Sequence, residues 1–345
     1  MPLSRGIRID KFHAYEVIKI LNQYNIIDRN YKIHNIDDYV IIPLIAEAII
    51  DQFPQLDFLD DEFNFEEYSK KPDSIKAILK DKIPEDELNK LTLPTSFDQI
   101  GNLVVIDLKE HLYPYKQIIG AAIMELQPST TSVFGKTAKV GGPFRIRQLE
   151  LISGQNNSTT IHREYGLKIY LDIRKVYFSP RLSTEHKRIC KLVKENSLIL
   201  DMFAGAGSFA LHITNQKITS VISIDINPFA KVCFEESQRL NVLQGYNEFI
   251  VADARDQIYK FLQNGQKFNY IIMNHPSGAI DYLVDAYKLL EERGTLFLYY
   301  FANEENMLDN CNQLISDRIE GSITKIHKVR RYSPEQFHIC IEITK

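Results

Sequence analysis

From about residue 176 onward, short apolar runs alternate with stretches whose apolar positions recur at helical spacing. Ser197 to Leu200, Val221 to Ile226, Glu248 to Val251, Tyr270 to Met273 and Thr295 to Phe301 read as strands. Helical segments fall between or beside them: one around His186 to Lys194, one opened by Pro228, and one running to Ile315. Strand and helix alternating in this way predict a mostly parallel sheet with helices on both faces. Two late strands, near Ile323 to Val329 and Phe337 to Ile343, are expected to close the sheet as an antiparallel pair.

The preceding half reads differently. Ala14, Val17, Ile18 and Leu21 follow helical spacing, and Tyr39 to Leu44 reads as a strand, so the first segment is a small α/β unit. The acidic run from Asp57 to Glu67 and Lys70-Lys71-Pro72-Asp73 mark a linker or an exposed edge. A charged helical stretch leads to Leu91, and Pro94 to Asp98 is a turn signal before the strand Leu103 to Ile106. Gln148 to Leu151 and Leu167 to Ile173 alternate like half-exposed strands, with turns at Gly141-Gly142-Pro143 and at Gly154 to Asn157. The domain expectation is therefore 1–68, 69–175 and 176–345.

Composition adds limits. The chain has 345 residues, 44% hydrophobic and 25% charged, enough for two or three domains of a globular protein. No apolar run approaches the ~18 residues of a membrane span, and the N-terminus has no apolar signal core, so a cytoplasmic monomer without membrane contact is expected. Four scattered cysteines lack metal-ligand spacing and read as buried thiols; no metal is expected. The net charge of −4 speaks against nucleic acid, but its distribution does not. Residues 57–67 hold six acids and no base, whereas 135–188 hold eleven Lys or Arg against four acids. Local basic surface, not net charge, decides phosphate binding.

The candidate chemistry begins at Leu200-Asp201-Met202-Phe203-Ala204-Gly205-Ala206-Gly207. A buried strand ends in an acid, passes a Gly-x-Gly turn and enters a helix. That order builds a nucleoside-cofactor pocket at the carboxyl end of a strand. Contacts are expected on Asp201, Phe203, Gly205 and Gly207, with Asp201 accepting from a cationic amine. The spacing also fits a dinucleotide fingerprint, with Asp225 as its ribose acid. Three features favour a methyl donor instead. Asp201 precedes the glycines, where a pyrophosphate is unwelcome. Asp253 follows the third strand, placed to meet an adenine amino group. Asn274-His275-Pro276 follows the fourth and has the Asn-x-Pro form found beside reacting nitrogens. The start resembles that of S-adenosylmethionine-dependent methyltransferases, which implies a class I (Rossmann-like) α/β domain; the two segments before it are expected to form two smaller α/β domains.

The most specific sequence lies upstream: Phe144-Arg145-Ile146-Arg147, then Lys175 to His186, containing Tyr177-Phe178-Ser179-Pro180-Arg181-Leu182. With the glycine loop, it resembles the tRNA (guanine-37-N1)-methyltransferase family of archaea and eukaryotes over essentially the whole chain. The resemblance implies S-adenosylmethionine as methyl donor and tRNA with guanosine at position 37 as partner. The first domain would touch the tRNA elbow, and the second and third the anticodon stem-loop. Donor contacts would fall on His186, Asp225, Ile226, Asp253, Ala254 and Asn274. Glu185 would be the general base, Arg145 the stabiliser of guanine O6, and Asn274 a holder of the guanine edge. Tyr177, Arg181 and Pro276 would face the substrate. Chemistry agrees: N1 of guanine is protonated near neutral pH, so a base must act as the methyl arrives, and a guanidinium can stabilise the charge that builds on O6. Glu185 equally fits a helix-start acid, Arg147 a phosphate contact, and Tyr177 a packed aromatic. His275 departs from the family's Asn-Leu-Pro or Asn-Pro-Pro. That leaves open a wyosine-pathway enzyme at the same position, by C7-methylation of the tricyclic base or aminocarboxypropyl transfer. An NAD-dependent oxidoreductase and a tRNA-binding protein without catalysis are the further readings.

Overall fold

The computed structural model describes residues 2–48, 58–67, 72–138, 141–142 and 144–345. Asp57, Lys70, Lys71 and Pro143 of the expected linker and turn lie outside the described residues. The chain divides into two compact units, Met1–Ala77 and Ile78–Lys345.

In the first unit β1 (Leu3–Asp10), α1 (Ala14–Gln23), β2 (His34–Ile36), β3 (Tyr39–Pro43) and β4 (Leu59–Asn64) form one antiparallel sheet, order β2-β3-β1-β4, with a helix on it. The apolar stripe of α1 buries Ala14, Val17 and Leu21, as its spacing requires. The middle of the acidic run is an exposed edge and not a linker: Leu59–Asn64 form β4, paired with β1 at the sheet border. Arg5 of β1 answers it with a 2.6 Å bond to Asp60. Charge along an edge strand discourages pairing with another chain.

The charged stretch before Leu91 forms two short helices, α2 (Ile75–Leu79) and α3 (Glu85–Leu88). The next sheet comprises β5 (Asp98–Ile100), β6 (Leu103–Ile106), β7 (Ser132–Lys136) and β8 (Leu149–Gly154), in that order. Parallel β6 and β7 are joined over α4 (Lys116–Leu126). Asp98, expected in a turn, already belongs to β5. A hairpin follows, β9 (Thr159–Glu164) and β10 (Leu167–Asp172). Its backbone is tied to the helix Pro228–Arg239 and the turn that follows it: Ser237 accepts from the Tyr170 amide at 2.8 Å, and Asn241 from the Lys168 amide at 2.9 Å.

The remaining elements are α5 (Ser183–Leu192), β11 (Leu198–Asp201), α6 (Ser208–Gln216), β12 (Ser220–Asp225), α7 (Pro228–Arg239), β13 (Tyr246–Val251), α8 (Ala254–Gln263), β14 (Phe268–Met273), α9 (Leu283–Lys288), β15 (Leu290–Asn303), α10 (Met307–Ser316), β16 (Ser322–Arg331) and β17 (Gln336–Thr344). The sheet order is β13-β12-β11-β14-β15-β17-β16. The first five in this order run parallel, and β17 pairs antiparallel with both β15 and β16. The strand order reverses between β11 and β14, and a ligand crevice forms outside the carboxyl ends at such a point. One apolar cluster joins Leu103, Val105 and Phe134 of the four-stranded sheet to Ile199 and Val221 of the seven-stranded one. The segments 69–175 and 176–345 thus carry separate sheets but pack as one compact unit from Ile78 onward.

Candidate active site

A cleft of about 1320 Å³ opens at the carboxyl ends of β11 to β14. Phe203, Gly205, Asp225, Ile226, Asp253, Ala254 and Asn274 line it, all expected as cofactor contacts. Gly205 takes φ +53°, and a Cβ there would meet only the Tyr177 carbonyl, at 3.4 Å, so this turn stays open to a ligand. Its amide donates to Asp225 at 2.7 Å, and the Asn227 amide donates to the other Asp225 oxygen at 2.9 Å. Burial raises the Asp225 pKa, and these two amides oppose the rise. Each oxygen keeps a lone pair, so the pair suits a ribose diol. Asp253 caps α8 by accepting from the Arg255 amide at 2.8 Å, leaving its second oxygen for an amino group. The lining therefore fits an adenosine-bearing cofactor.

The opposite wall is cationic and aromatic. Arg145, Arg147, Tyr177, Arg181 and Pro276 line the same cleft. Arg145 holds φ +50°, uncommon for a side chain of this size. Its guanidinium lies 3.2 Å from His275 Nε2 and donates to Ser277 Oγ at 2.7 Å. A guanidinium only donates, so Nε2 accepts and the ring proton sits on Nδ1, which is buried without a partner. Burial, then the Arg145 charge, lower the His275 pKa and keep the ring neutral. Asp98, buried beneath, holds Arg181 at 2.6 Å, Arg147 at 3.4 Å and Lys136 at 3.8 Å. Lys136 also lies 3.9 Å from Asp107, so three cations share two carboxylates and a positive surplus remains. Arg147 also lies over the Tyr177 ring, 5.6 Å from its centroid.

Four expected residues are not among those lining the cleft. Gly207 (φ +75°) is a packing glycine, since a Cβ there would stand 2.1 Å from the Phe234 ring. Asp201 is wholly buried at the end of β11 and lacks a well-formed hydrogen bond. Burial, then the Asp225 charge, raise its pKa to about 8, which the Phe203 amide opposes in part. His186 is 3% exposed and bonds Glu164 through Nδ1 at 2.8 Å. His212 Nε2 reaches the same Glu164 oxygen at 2.8 Å. Burial tends to raise Glu164, but those two hydrogen bonds win and hold it at about 2. The atoms of this trio lie within 4.8 Å of one another, a grouping that the cysteine-based search for metal ligands in the sequence did not address.

Glu185 is the fourth. It is 2% exposed, bonded by Arg188 through Nε at 2.7 Å and Nη2 at 2.8 Å, and by the Tyr299 hydroxyl at 2.7 Å. Burial raises its pKa, yet the Arg188 and Tyr299 hydrogen bonds outweigh burial and lower it, so Glu185 is ionised. It is buried and is not among the residues lining the cleft. The sequence reading missed Asp98, Tyr299 and His338. A signal existed for the last: His338, Cys340 and Glu342 alternate with Phe337, Ile339, Ile341 and Ile343, a polar-faced stripe on a buried strand.

Comparison with known proteins agrees with this geometry. A model of the TRM5/TYW2 methyltransferase domain matches residues 160–326, one of the TYW2 N-terminal domain matches 75–158, and one of the tRNA methyltransferase 5 N-terminal domain matches 6–50. The tRNA (guanine(37)-N(1))-methyltransferase Trm5b of Pyrococcus abyssi is 34% identical over 345 residues, covering 99% of this chain and 98% of its own. Its namesake in Methanocaldococcus jannaschii is 30% identical over 347 residues, with the same coverage of 99% and 98%. The crystal structure of the Pyrococcus abyssi Trm5b superposes with a TM-score of 0.77 at 31% identity, covering 99% of both chains. A complex of aTrm5 with tRNALeu does so with 0.81 at 29%, again covering 99% of both. With its glycine-turn cleft and end-to-end similarity to these relatives, the chain belongs to the TRM5/TYW2 methyltransferase family.

Proposed function

We propose that this protein transfers the methyl group of S-adenosylmethionine to N1 of guanosine 37 of tRNA, beside the anticodon. One observation carries the reading. A pocket suited to an adenosine cofactor and a cationic, aromatic wall suited to an unstacked base share one cleft. The end-to-end relatives carry this activity in their names. Bound S-adenosylmethionine supplies an electrophilic methyl on a sulfonium. Asp225 would hold the ribose, Asp253 the adenine amino group, and Gly205 would let the cofactor approach the backbone. Arg145, fixed by His275 and Ser277, would stabilise charge on guanine O6. Asn274 and Tyr177 would hold and stack the base. Glu185, kept ionised by Arg188 and Tyr299, would supply the negative charge that draws the N1 proton away.

The first unit would touch the tRNA elbow, the basic wall and its sheet the anticodon stem-loop, and the protein would act as a monomer in the cytoplasm. Among the described residues no helix is long and apolar enough to cross a membrane. The test is nucleoside mass spectrometry after incubation of S-adenosylmethionine with tRNA transcripts bearing guanosine or adenosine at position 37. The reading predicts 1-methylguanosine from the first transcript alone. Another methylated base, or an aminocarboxypropyl product, would move the chain to a different reaction of the family.

A further inference from the structure

Away from the cleft, three segments of the chain meet on a single carboxylate. Glu164 ends β9 just before the hairpin turn, His186 stands early in α5, and His212 stands in the middle of α6. His186 Nδ1 and His212 Nε2 each lie 2.8 Å from the same oxygen, Glu164 Oε2. All three side chains are almost wholly buried, and none lines the cleft. Among the described residues this is the one group of three His, Cys, Asp or Glu side chains whose ligand atoms lie close enough together to hold a metal ion.

Hydrogen bonding alone serves this group poorly. A carboxylate offers acceptor sites on both oxygens, yet both rings address Oε2, and Oε1 is buried without a hydrogen-bond partner. Buried polar atoms without partners are uncommon and call for an explanation. His162 Nε2 stands 3.7 Å from Oε1, beyond hydrogen-bond reach. Its Nδ1 accepts from the Gly101 amide at 3.1 Å, so the ring proton sits on Nε2 and faces the carboxylate. Burial lowers the His162 pKa against the pull of Glu164, so this ring brings no charge near pH 7. Burial pushes the Glu164 pKa up, but the hydrogen bonds from His186 and His212 outweigh it and hold it at about 2. Between neutral rings, that ionised carboxylate is a negative charge out of water with no cation against it. Such a charge is costly unless it is paired or binds a metal.

We propose that Glu164, His186 and His212 bind a divalent transition-metal ion of the zinc class, through Nδ1 of His186, Nε2 of His212 and the Glu164 carboxylate. Two imidazole nitrogens and a carboxylate suit zinc, whereas magnesium and calcium take oxygen ligands. A tetrahedral zinc with bonds of about 2.0–2.1 Å spaces its ligand atoms about 3.3 Å apart, so the two contacts need open by only about half an ångström. Glu164 Oε1 lies free to complete the coordination, and the Nε2–H of His162 stands behind the carboxylate, as groups that orient metal ligands do. The site has no share of the cleft, so its role is structural. It pins the β9–β10 hairpin to α5, one residue after Glu185, and to α6, which the glycine turn opens. Half-exposed Tyr165 follows Glu164, and its ring stands 6.2 Å from that of His212, so an ion has only a short way to travel from the surface. The inference is independent of the methyl-transfer reading, and no step of that reaction passes through the ion.

The test is zinc binding by the full chain after chelator treatment and dialysis, measured by competition with a chromophoric chelator, with melting followed beside it. Wild type is expected to bind one equivalent of Zn2+ with Kd below about 1 μM, and to melt higher with zinc than without. Glu164→Gln and His212→Gln each remove a ligand, and should weaken that equivalent by more than the about 10–100-fold that losing a group behind a ligand costs. Co2+ gives a second reading on wild type alone, so the answer does not depend on the variants folding. Its visible bands should appear without thiolate charge transfer in the near ultraviolet, because Cys190 donates to the His212 carbonyl at 3.3 Å and is no part of the ligand set. Wild type without a tight equivalent of zinc overturns the proposal and leaves the trio a hydrogen-bonded clamp. Tight zinc kept by the folded variants, or a thiolate band with cobalt, places the ion elsewhere and overturns it too.

Discussion

The two walls of the cleft are built by different means. On the cofactor wall the polar groups stand where strands of the parallel sheet end, and backbone amides fix the two carboxylates. Asp225 is held by the Gly205 and Asn227 amides, and Asp253 by the first turn of its own helix. On the substrate wall, and in the buried layer next to it, the contacts span the chain. Arg145 meets His275 across 130 positions, Glu185 meets Tyr299 across 114, and Arg188 meets Glu342 across 154. The first wall is local backbone geometry presented to a ligand. The second is a tertiary arrangement of ionised and neutral side chains, and it should carry the chemistry. Substitutions on the two walls should therefore fail in different ways.

The largest expected effect is on the substrate wall. Glu185→Gln keeps the shape but removes the buried charge held by Arg188 and Tyr299, and single-turnover methylation should fall about 10²–10⁴-fold. It also breaks a buried ion pair, which costs about 3–5 kcal/mol when one partner is removed, so melting must be followed beside the rate. An unchanged rate in the folded variant would leave Glu185 as a helix-start acid paired with Arg188. Arg145→Ala removes the guanidinium at O6 and should cost about 10²–10³-fold, with cofactor affinity unmoved. A drop confined to tRNA affinity would make Arg145 a phosphate contact instead.

The glycine turn sharpens the contrast within a few residues. Gly207→Ala places a methyl 2.1 Å from the Phe234 ring at φ +75°, and should destabilise the fold by about 1–3 kcal/mol. Gly205→Ala meets no atom closer than 3.4 Å, so its cost in denaturant melts should be smaller while cofactor affinity falls. Equal destabilisation by the two would erase the distinction between packing glycine and ligand glycine.

A further effect depends on pH. Asp201 is raised to about 8 by burial, with the Asp225 charge adding to it. An unfolded aspartate ionises near pH ~4, so across this window the unfolded chain releases a proton that the folded chain keeps. The associated stability is fully present below about pH 4 and is lost as pH rises through 8. Asp201→Asn removes this dependence. Its melting temperature should match wild type at the acid end and exceed it increasingly toward pH 8, a trend that thermal melts across the range would check. A gap independent of pH would mean that Asp201 is ionised in the folded protein.

The same contrast explains what the sequence disclosed. The strands of the seven-stranded sheet announced themselves as apolar runs at regular spacing, and their ends carried Asp225, Asp253 and Asn274 into the cleft. Helix α4 escaped notice because Ile118, Ile119, Ala121, Ala122, Ile123 and Met124 form a nearly continuous apolar run, which periodicity cannot assign to helix or strand. Strand β4 was hidden by its acids, which an edge position tolerates. Gly205 and Gly207 look alike in a motif, and only the Phe234 ring, brought in by α7, tells them apart. Glu185 was legible through its resemblance-bearing string, but its seclusion was not, because Tyr299 meets it, and Glu342 meets its helix partner Arg188, only once the sheet has closed.

The division of labour between the walls is tested most directly by single-turnover rates measured across a titration of S-adenosylmethionine, with Asp225→Ala and Glu185→Gln side by side. Losing a charged hydrogen bond costs about 1.5–3 kcal/mol, so Asp225→Ala should need much more cofactor and then reach a rate near wild type at saturation. Glu185→Gln should saturate at the wild-type concentration and stay slow. If excess cofactor restores Glu185→Gln, or leaves Asp225→Ala slow, binding and chemistry are not divided between the walls as described.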